Sequence, residues 1–476
     1  MELHISLTRR GRLCADVYQQ LKSAVLDGRL RLGEPLPATR ALARRLSVSR
    51  NTVMNAYQQL IAEGFLVGRV GAGTFVDPQG ALAPRARRAP AGAALRPRAI
   101  WRAVSVPPRE RPEVAHDFSL GWPDPALFPW DEWRGLVARQ LRGRRRPAIY
   151  PPPDGHPRLR TAIARHLGVS RSVLAGADDV IVTSGAQQAF DLIGRVLVEP
   201  GARVAVEDPG YPPARRAFEA LGARVVPVRV DAEGIDVSAL PDDAALVYVT
   251  PSHQFPLGTA MSLARRMALL EWAERHRAAV LEDDYDSEFR FGGRPLEPLQ
   301  SLDRSGRVLY VGTFSKVLLP GLRIGFVVAP PSVMPALHTA KLLSDSHGPL
   351  ETQLALAELI EEGLFARHVR RLLRIYRERR EILFAAIARH MAQELVLLPS
   401  VAGLHASATF ARLGIDADRL VGRALAAGVA VESLATYYRG RPRAGIAIGW
   451  GAIPAPRIEE GVRRLASCLR ASRPRG

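Results

Sequence analysis

The sequence predicts an α/β protein with a mainly parallel sheet, preceded by a small helical module that ends in a hairpin. Three features predict it. Short apolar runs recur between residues 180 and 311, and each gives way to a polar cluster. Stretches of helical spacing separate those runs, as expected of a parallel sheet covered on both faces. The first 76 residues carry a different rhythm, with short helices, a tight turn and a Gly-containing hairpin.

At 476 residues the chain can bury two or more cores. An apolar fraction of 47% and a mean hydropathy of −0.03 fit a globular protein, and no apolar run reaches the length of a membrane span. The N-terminus MELHISLTRRG lacks the apolar core of a signal peptide. Cys14 and Cys468 stand at opposite ends and form no metal or redox motif, so a reducing cytoplasm is the expected location and no metal is expected. The net charge of +19 is uneven: +6 over residues 1–76, +5 over 77–115 and +8 over all the rest. That concentration favours a polyanion, nucleic acid, as the partner of the N-terminal part.

From Ala15 the residues Val17, Leu21, Ala24 and Val25 follow helical spacing that stops at Asp27-Gly28. A second helix is predicted over residues 39–46, then a turn at Ser47-Val48 and a third helix capped by Ser49. Val53, Ala56, Tyr57 and Leu60 share one face of the third helix, so Arg50, Asn51 and Thr52 take the polar edge of its first turn. This is the helix-turn-helix arrangement, which presents such side chains to base edges and phosphates in the major groove. Residues 65–68 and 73–76 form a hairpin with the tip Arg69-Val70-Gly71-Ala72, a wing. A small bundle with an Arg-rich surface is the plainer alternative. The run LPATRALARRLSVSRNTVMNAYQQLIAEG (36–64) resembles the winged helix of GntR-type bacterial regulators. That resemblance implies Arg40 and Arg50 at DNA phosphates or bases, with Ser49, Asn51, Thr52 and the wing residues Gly71 and Gly73 at the backbone. Ala38 stands where many relatives carry a capping Ser, which leaves Thr39 as the expected cap of the second helix.

Residues 77–115 are rich in Pro, Ala and Arg, without sustained period, and read as a linker between domains 1–76 and 116–476. If extended, the linker could reach up to roughly 120 Å. Ile100, Trp101 and Val104 have the makings of a short helical turn.

In the larger domain, apolar runs at 180–183, 204–206, 246–249, 280–281 and 308–311 lead into polar clusters at 184–186, 207–211, 250–258, 282–285 and 312–316. Open α/β sheets bind ligands just past the carboxyl ends of their strands. The last cluster presents Lys316. Only three lysines occur here, Lys22, Lys316 and Lys341, against 63 arginines. Arginine cannot form a Schiff base, whereas a desolvated lysine offers the amine that an aldehyde cofactor needs. The other clusters supply the parts of a pyridoxal phosphate site. Ser184, Gly185 and Ala186 can direct N–H groups and a hydroxyl at a phosphate over a helix N-terminus. Ser315 and the fork of Arg323 can complete that cup. Asp283 can keep the pyridine nitrogen protonated, Tyr285 can bond the ring hydroxyl, and Tyr211 can stack on the ring.

The motifs FPW (128–130), YPPPDGHPRLR (150–160), TPSHQFPLG (250–258), EDDYDSEFR (282–290) and GTFSKVLLPGLR (312–323) occur in an order that strongly resembles fold type I aminotransferases. With the winged helix attached, the chain is similar to the MocR subfamily of GntR regulators. The resemblance implies a fold type I domain with a smaller C-terminal α+β subdomain, a head-to-tail homodimer, a Schiff base between Lys316 and pyridoxal phosphate, and His253 and Gln254 near the cofactor. It also implies an effector, the cofactor itself or a small amine or amino acid, that alters binding to operator DNA, with the enzyme fold serving as a sensor. One departure stands out. Aminotransferases place an Arg near the C-terminus to clamp the substrate carboxylate, but residues 445–450 offer Ala447 there; Arg443 is close but out of register, and Arg215 or Arg216, after Tyr211, is the expected substitute. That weakens amino-acid turnover as the activity. A working aminotransferase with an appended winged helix, or a purely structural dimerisation scaffold, are the alternatives. Arg50→Ala is expected to abolish operator binding without unfolding the chain; fluorescence anisotropy at fixed salt and a melting curve check both halves, and unchanged DNA affinity sinks the assignment.

Overall fold

A computed structural model describes residues 13–78, 96–104, 113–142, 150–292, 297–412 and 414–472. The chain divides into two compact units, Met1–Arg96 and Pro97–Gly476.

In the first unit, helices Leu13–Leu26, Thr39–Leu46 and Arg50–Ala62 close around Leu21, Leu42, Val53 and Leu60, all fully buried. The Ser49 side chain accepts the Thr52 N–H at 3.1 Å and so caps the third helix. The second helix starts otherwise than expected. Ala38 holds the cap position without a side-chain bond, and Thr39 is the first helical residue. The Pro37-Ala38 backbone is already extended on its way into that helix, and the Tyr57 hydroxyl pins it by donating to the Pro37 carbonyl at 2.9 Å. Strands Leu66–Arg69 and Gly73–Val76 pair with Leu66 opposite Val76 and Arg69 opposite Gly73. Gly71 and Gly73 carry φ of 78° and 109° in the connecting turn, a left-handed region where a side chain is strained.

In the second unit an eight-stranded sheet runs in the order Val180–Thr183, Gly325–Val328, Val308–Thr313, Ala279–Asp284, Ala244–Val249, Arg203–Asp208, Arg224–Asp231, Gly234–Ile235. The middle five strands, from Val308–Thr313 to Arg224–Asp231, are mutually parallel. Gly325–Val328 is antiparallel to both its neighbours, so Val180–Thr183 points the same way as the parallel set. Three strands of this sheet lie outside the apolar runs read from the sequence, one of them the two-residue Gly234–Ile235. Arg224–Asp231 is broken by Pro227 and half exposed, and the four residues of Gly325–Val328 follow so closely on Arg323 that they merge with the lysine turn.

Side chains alternate between two cores, as a strand buried on both faces requires. In Val308–Thr313, Leu309 and Val311 join Phe190 and Phe218 on one face, while Tyr310 joins Phe326 on the other. The C-terminal part is a four-stranded antiparallel sheet, Leu395–Leu397, His405–Phe410, Gly445–Gly449 and Glu432–Ser433 in that order. Helices Leu364–His390, Ala417–Ala426 and Ile458–Ala471 contribute apolar faces to its core. Helix Ala99–Ala103 lies within the stretch read as linker, its Trp101 59% exposed. Residues 79–95 and 105–112 of that stretch lie outside the described residues.

Gly312 sets how closely the lysine-bearing strand meets its neighbour: a Cβ there would lie 2.3 Å from the Phe326 ring. Overpacking of this kind costs about 1–3 kcal/mol. Gly312→Ala is therefore expected to lower the denaturant midpoint of the Pro97–Gly476 unit, read by tryptophan fluorescence, while leaving the helices of the first unit intact.

Candidate functional site: the carboxyl edge of the sheet

The parallel strands and Val180–Thr183 all end at one edge, and the polar clusters follow directly: Ser184-Gly185, Asp208–Tyr211, Thr250–Gly258, Asp283–Asp286 and Ser315-Lys316. Lys316 is half-buried in the turn after Val308–Thr313, and its Nζ donates to the Gly121 carbonyl at 2.7 Å. A Cβ on Gly121, where φ is 76°, would lie 2.8 Å from that Nζ. Gly121 thus gives the amine its room.

Asp283 ends the adjacent strand and is 4% exposed. Its Oδ2 accepts the Tyr248 hydroxyl at 2.7 Å, while its Oδ1 is buried without a hydrogen-bond partner. Burial pushes the Asp283 carboxyl up to about 7, against the Tyr248 hydrogen bond and the Lys316 charge, which favour the anion. Glu207, also buried, is raised to about 7 by desolvation although the Thr250 hydroxyl and Gln254 amide bond it, and its Oε1 too lacks a partner.

On the other side of Lys316, Arg323 adopts φ 53° after the turn Pro320–Leu322 and donates to the Ser184 carbonyl. Gly185, with φ 75°, precedes the helix Ala186–Leu197, and a Cβ on it would come within 3.0 Å of the Arg323 guanidinium. Ser315 accepts the Thr313 hydroxyl at 3.0 Å. Ser184, Gly185, Ala186 and Arg323 are thus brought together, with one adjustment to expectation. The Ser184 and Gly185 N–H groups already donate to Gln188 Oε1 and the Thr183 carbonyl, both at 2.8 Å, and the Ser184 hydroxyl lies 3.5 Å from Asp345. Tyr211 packs edge-on against Phe255, ring centres 5.3 Å apart, at an apolar patch formed by Leu120, Phe255, Leu434, Tyr437 and Ala447. Tyr285 packs against the same patch, and its hydroxyl donates to the His253 carbonyl at 2.9 Å. In the first unit Arg40, Ser49, Arg50 and Asn51 are exposed, Thr52 is half-buried with its hydroxyl 2.8 Å from that of Ser49, and Gly71 and Gly73 are exposed in the wing.

Residues 13–76 match the bacterial regulatory proteins of the gntR family, and residues 125–425 match aminotransferases of class I and II. The probable rhizopine catabolism regulatory protein MocR of Rhizobium meliloti is 38% identical, over 96% of this chain and 93% of its own length. The chain belongs to the MocR-type regulators of the GntR family. Another MocR-type relative, the pyridoxine biosynthesis regulator PdxR of Corynebacterium glutamicum, is 35% identical over 91% of this chain and 90% of its own. Among solved structures, an α-aminoadipate aminotransferase of Thermus thermophilus in complex with N-(5'-phosphopyridoxyl)-L-leucine is 33% identical. It matches with a TM-score of 0.69, over 75% of this chain and 92% of its own.

Several residues of this MocR-type edge were not legible in its motifs. Tyr248 looks like one more apolar strand residue, Gly121 belongs to no motif, and His405 lies 152 residues from His253 in sequence but its ring sits 4.6 Å from that of His253. Ala447 is fully buried in the apolar patch, and Arg443 lines a separate depression with Asp208, Arg229 and Tyr438, so Arg443 does not stand in for a clamp at Ala447. Because folding raises Asp283 from about 3.9 in an unfolded chain to about 7, its contribution is greatest below pH 4 and is lost as pH rises through 7. In cofactor-free protein, Asp283→Asn is expected to flatten the fall of the thermal midpoint between those values, as scanning calorimetry can measure.

Proposed function

We propose that this chain is a DNA-binding transcription regulator whose aminotransferase-like domain binds pyridoxal phosphate at Lys316 and uses it to sense the cofactor or a small amine. The observation that carries the reading is the bare Oδ1 of buried Asp283, one strand from Lys316. A buried carboxylate oxygen without a donor is costly, and a protonated ring nitrogen is the partner its position suits. The residues fit the group. Lys316 offers the amine, Arg323 and Ser315 the anion site beside a helix N-terminus, Tyr285 a hydroxyl, and Tyr211 a ring face. When bound, pyridoxal phosphate supplies an aldehyde that condenses with a primary amine and a ring that accepts electrons.

Around it the chain's own groups hold protons and exclude water. Tyr248 fixes the Asp283 carboxylate from behind, the Gly121 carbonyl holds the Lys316 ammonium, and the apolar patch beside Tyr211 and Tyr285 shields the edge. Arg40, Arg50, Asn51 and the wing contact operator DNA, the protein acts as a head-to-tail homodimer in the cytoplasm, and no helix of the described residues is long and apolar enough to cross a membrane. A ligand changes DNA affinity only by binding the competent and incompetent arrangements differently.

A working aminotransferase is the second reading, supported by the Lys316–Asp283 pairing. Steady release of a keto acid from an amino acid, without a DNA footprint, favours it. Titrating pyridoxal phosphate into the protein bound to its own upstream DNA at fixed salt is the deciding measurement, because phosphate contacts make affinity steeply salt-dependent. A shift of about tenfold or more, the scale typical of allosteric coupling, is expected, and Lys316→Ala is expected to blunt it. Tight binding indifferent to the cofactor turns the search to amines.

A further inference from the structure

Behind Tyr285 lies a buried pair that the site described above leaves unused, His253 and Asp286, each 2% exposed. Nδ1 of His253 is 3.1 Å from both Asp286 oxygens and 3.0 Å from the Tyr285 hydroxyl. Its Nε2 is 3.3 Å from Ser400 Oγ. The hydrogens can be counted. Ser400 Oγ also lies within reach of the Ala402 carbonyl, at 3.0 Å. The Asp286 carboxylate, which also accepts the Leu404 N–H at 3.3 Å, offers only acceptors, so Nδ1 facing it carries the ring hydrogen. Tyr285 has one hydrogen, and the His253 carbonyl is 2.9 Å away to receive it.

We propose that Asp286 holds the hydrogen of His253 on Nδ1, which denies the Tyr285 hydroxyl an acceptor there and leaves its hydrogen free to turn from the His253 carbonyl to an oxygen of the ligand held at Lys316. His253 and Asp286 are then positioning residues acting through Tyr285. The inference rests on pyridoxal phosphate binding at Lys316. With His405 the same pair could present three ligand atoms within 4.8 Å of one another, a spacing a divalent ion could bridge. A hydrogen fits better: 3.1 Å is an N–H···O distance, and the backbone of Gly403, with φ 77°, closes over the pair. A Cβ there would lie 2.2 Å from Nδ1 and 2.5 Å from Asp286 Oδ2. The remaining groups are consistent. His405 is held neutral, well below the usual histidine range, by burial and then by His253 and Lys316. Tyr285 is pushed well above the usual phenol range by burial, then by Asp286, Asp283, Glu207 and Asp284, so its hydrogen stays on.

The test follows the visible absorbance of the Lys316-linked chromophore against pH in the full chain loaded with pyridoxal phosphate. A hydrogen bond from Tyr285 makes the ring oxygen a poorer partner for the proton of the linkage. Tyr285→Phe is therefore expected to raise the midpoint by about one pH unit, a tenfold gain in proton affinity. Asp286→Ala is expected to raise it in the same direction, because the ring hydrogen can then move to Nε2 and a bare Nδ1, 3.0 Å away, captures the Tyr285 hydrogen. Adding His253→Phe to Asp286→Ala removes the competing acceptor, and the midpoint is expected to fall back towards that of the unaltered chain. If Asp286→Ala does not fold, His253→Phe alone decides: it is expected to leave the midpoint in place, and a shift as large as that of Tyr285→Phe overturns the proposal. So does an unmoved Asp286→Ala, or a double variant that stays shifted. A cofactor-free readout is the 19F resonance of 3-fluorotyrosine at Tyr285, assigned by its loss in Tyr285→Phe, which is expected to move in Asp286→Ala and return in the double variant. One zinc per chain, lost in Asp286→Ala, overturns the proposal in favour of an ion. A loaded chain with no Lys316-dependent chromophore overturns the cofactor reading instead, while the 19F comparison still stands.

Discussion

Asp283 is a carboxylate in a place where water cannot solvate it, bonded through one oxygen to Tyr248 and bare at the other. Most of what surrounds it follows from that. A buried anion with half its bonding capacity unmet is tolerable only beside a positive charge or in its neutral form. The Lys316 charge pulls towards the anion, while burial and the charges of Asp284 and Asp286 pull the other way, which is why the carboxyl is poised near 7. A cationic ring nitrogen brought to the bare oxygen would resolve the conflict. A ligand that supplied such a group would bind with the energy it restores, and the same energy could bias one arrangement of the protein over another.

The charge of the chain is divided to match two tasks. At the front, exposed arginines on the second and third helices face outward, where polyanions bind through many weak, screened contacts. At the sheet edge, single charges are buried and individually placed. Lysine, scarce throughout, illustrates the difference: Lys22 sits against Glu63 and Lys341 against Asp345, both at helices, whereas Lys316 meets a backbone carbonyl. An apolar patch that includes Ala447 lies at the same edge.

Much of this was legible before the fold was seen, and particular residues show why. Val308–Val311 reads as a strand because four apolar residues in a row bounded by Gly and charged residues fit little else, and Ser49 reads as a cap because its hydroxyl matches the orphan N–H groups of a helix start. Thr39 misleads for the same local reason: a good cap residue one position inside the helix cannot be told from a cap until the backbone angles of Ala38 are known. Tyr248 is invisible because a tyrosine within an apolar strand is usually core, and His405 because its contact with His253 spans 152 residues.

The sequence by itself determined five of the main sheet's strands and their alternation with helices, the two modules, and the residue types delivered to those strand ends, because hydrophobic periodicity and turn chemistry are local properties of the chain. Tertiary structure alone decided which of those groups meet and in what protonation state. The bare oxygen of Asp283, the crowding of Gly121 against Lys316, and the pairing of His253 with Asp286 behind Tyr285 all depend on distances between segments far apart in sequence. Burial and electrostatic coupling act through space, and no spacing along the chain encodes them.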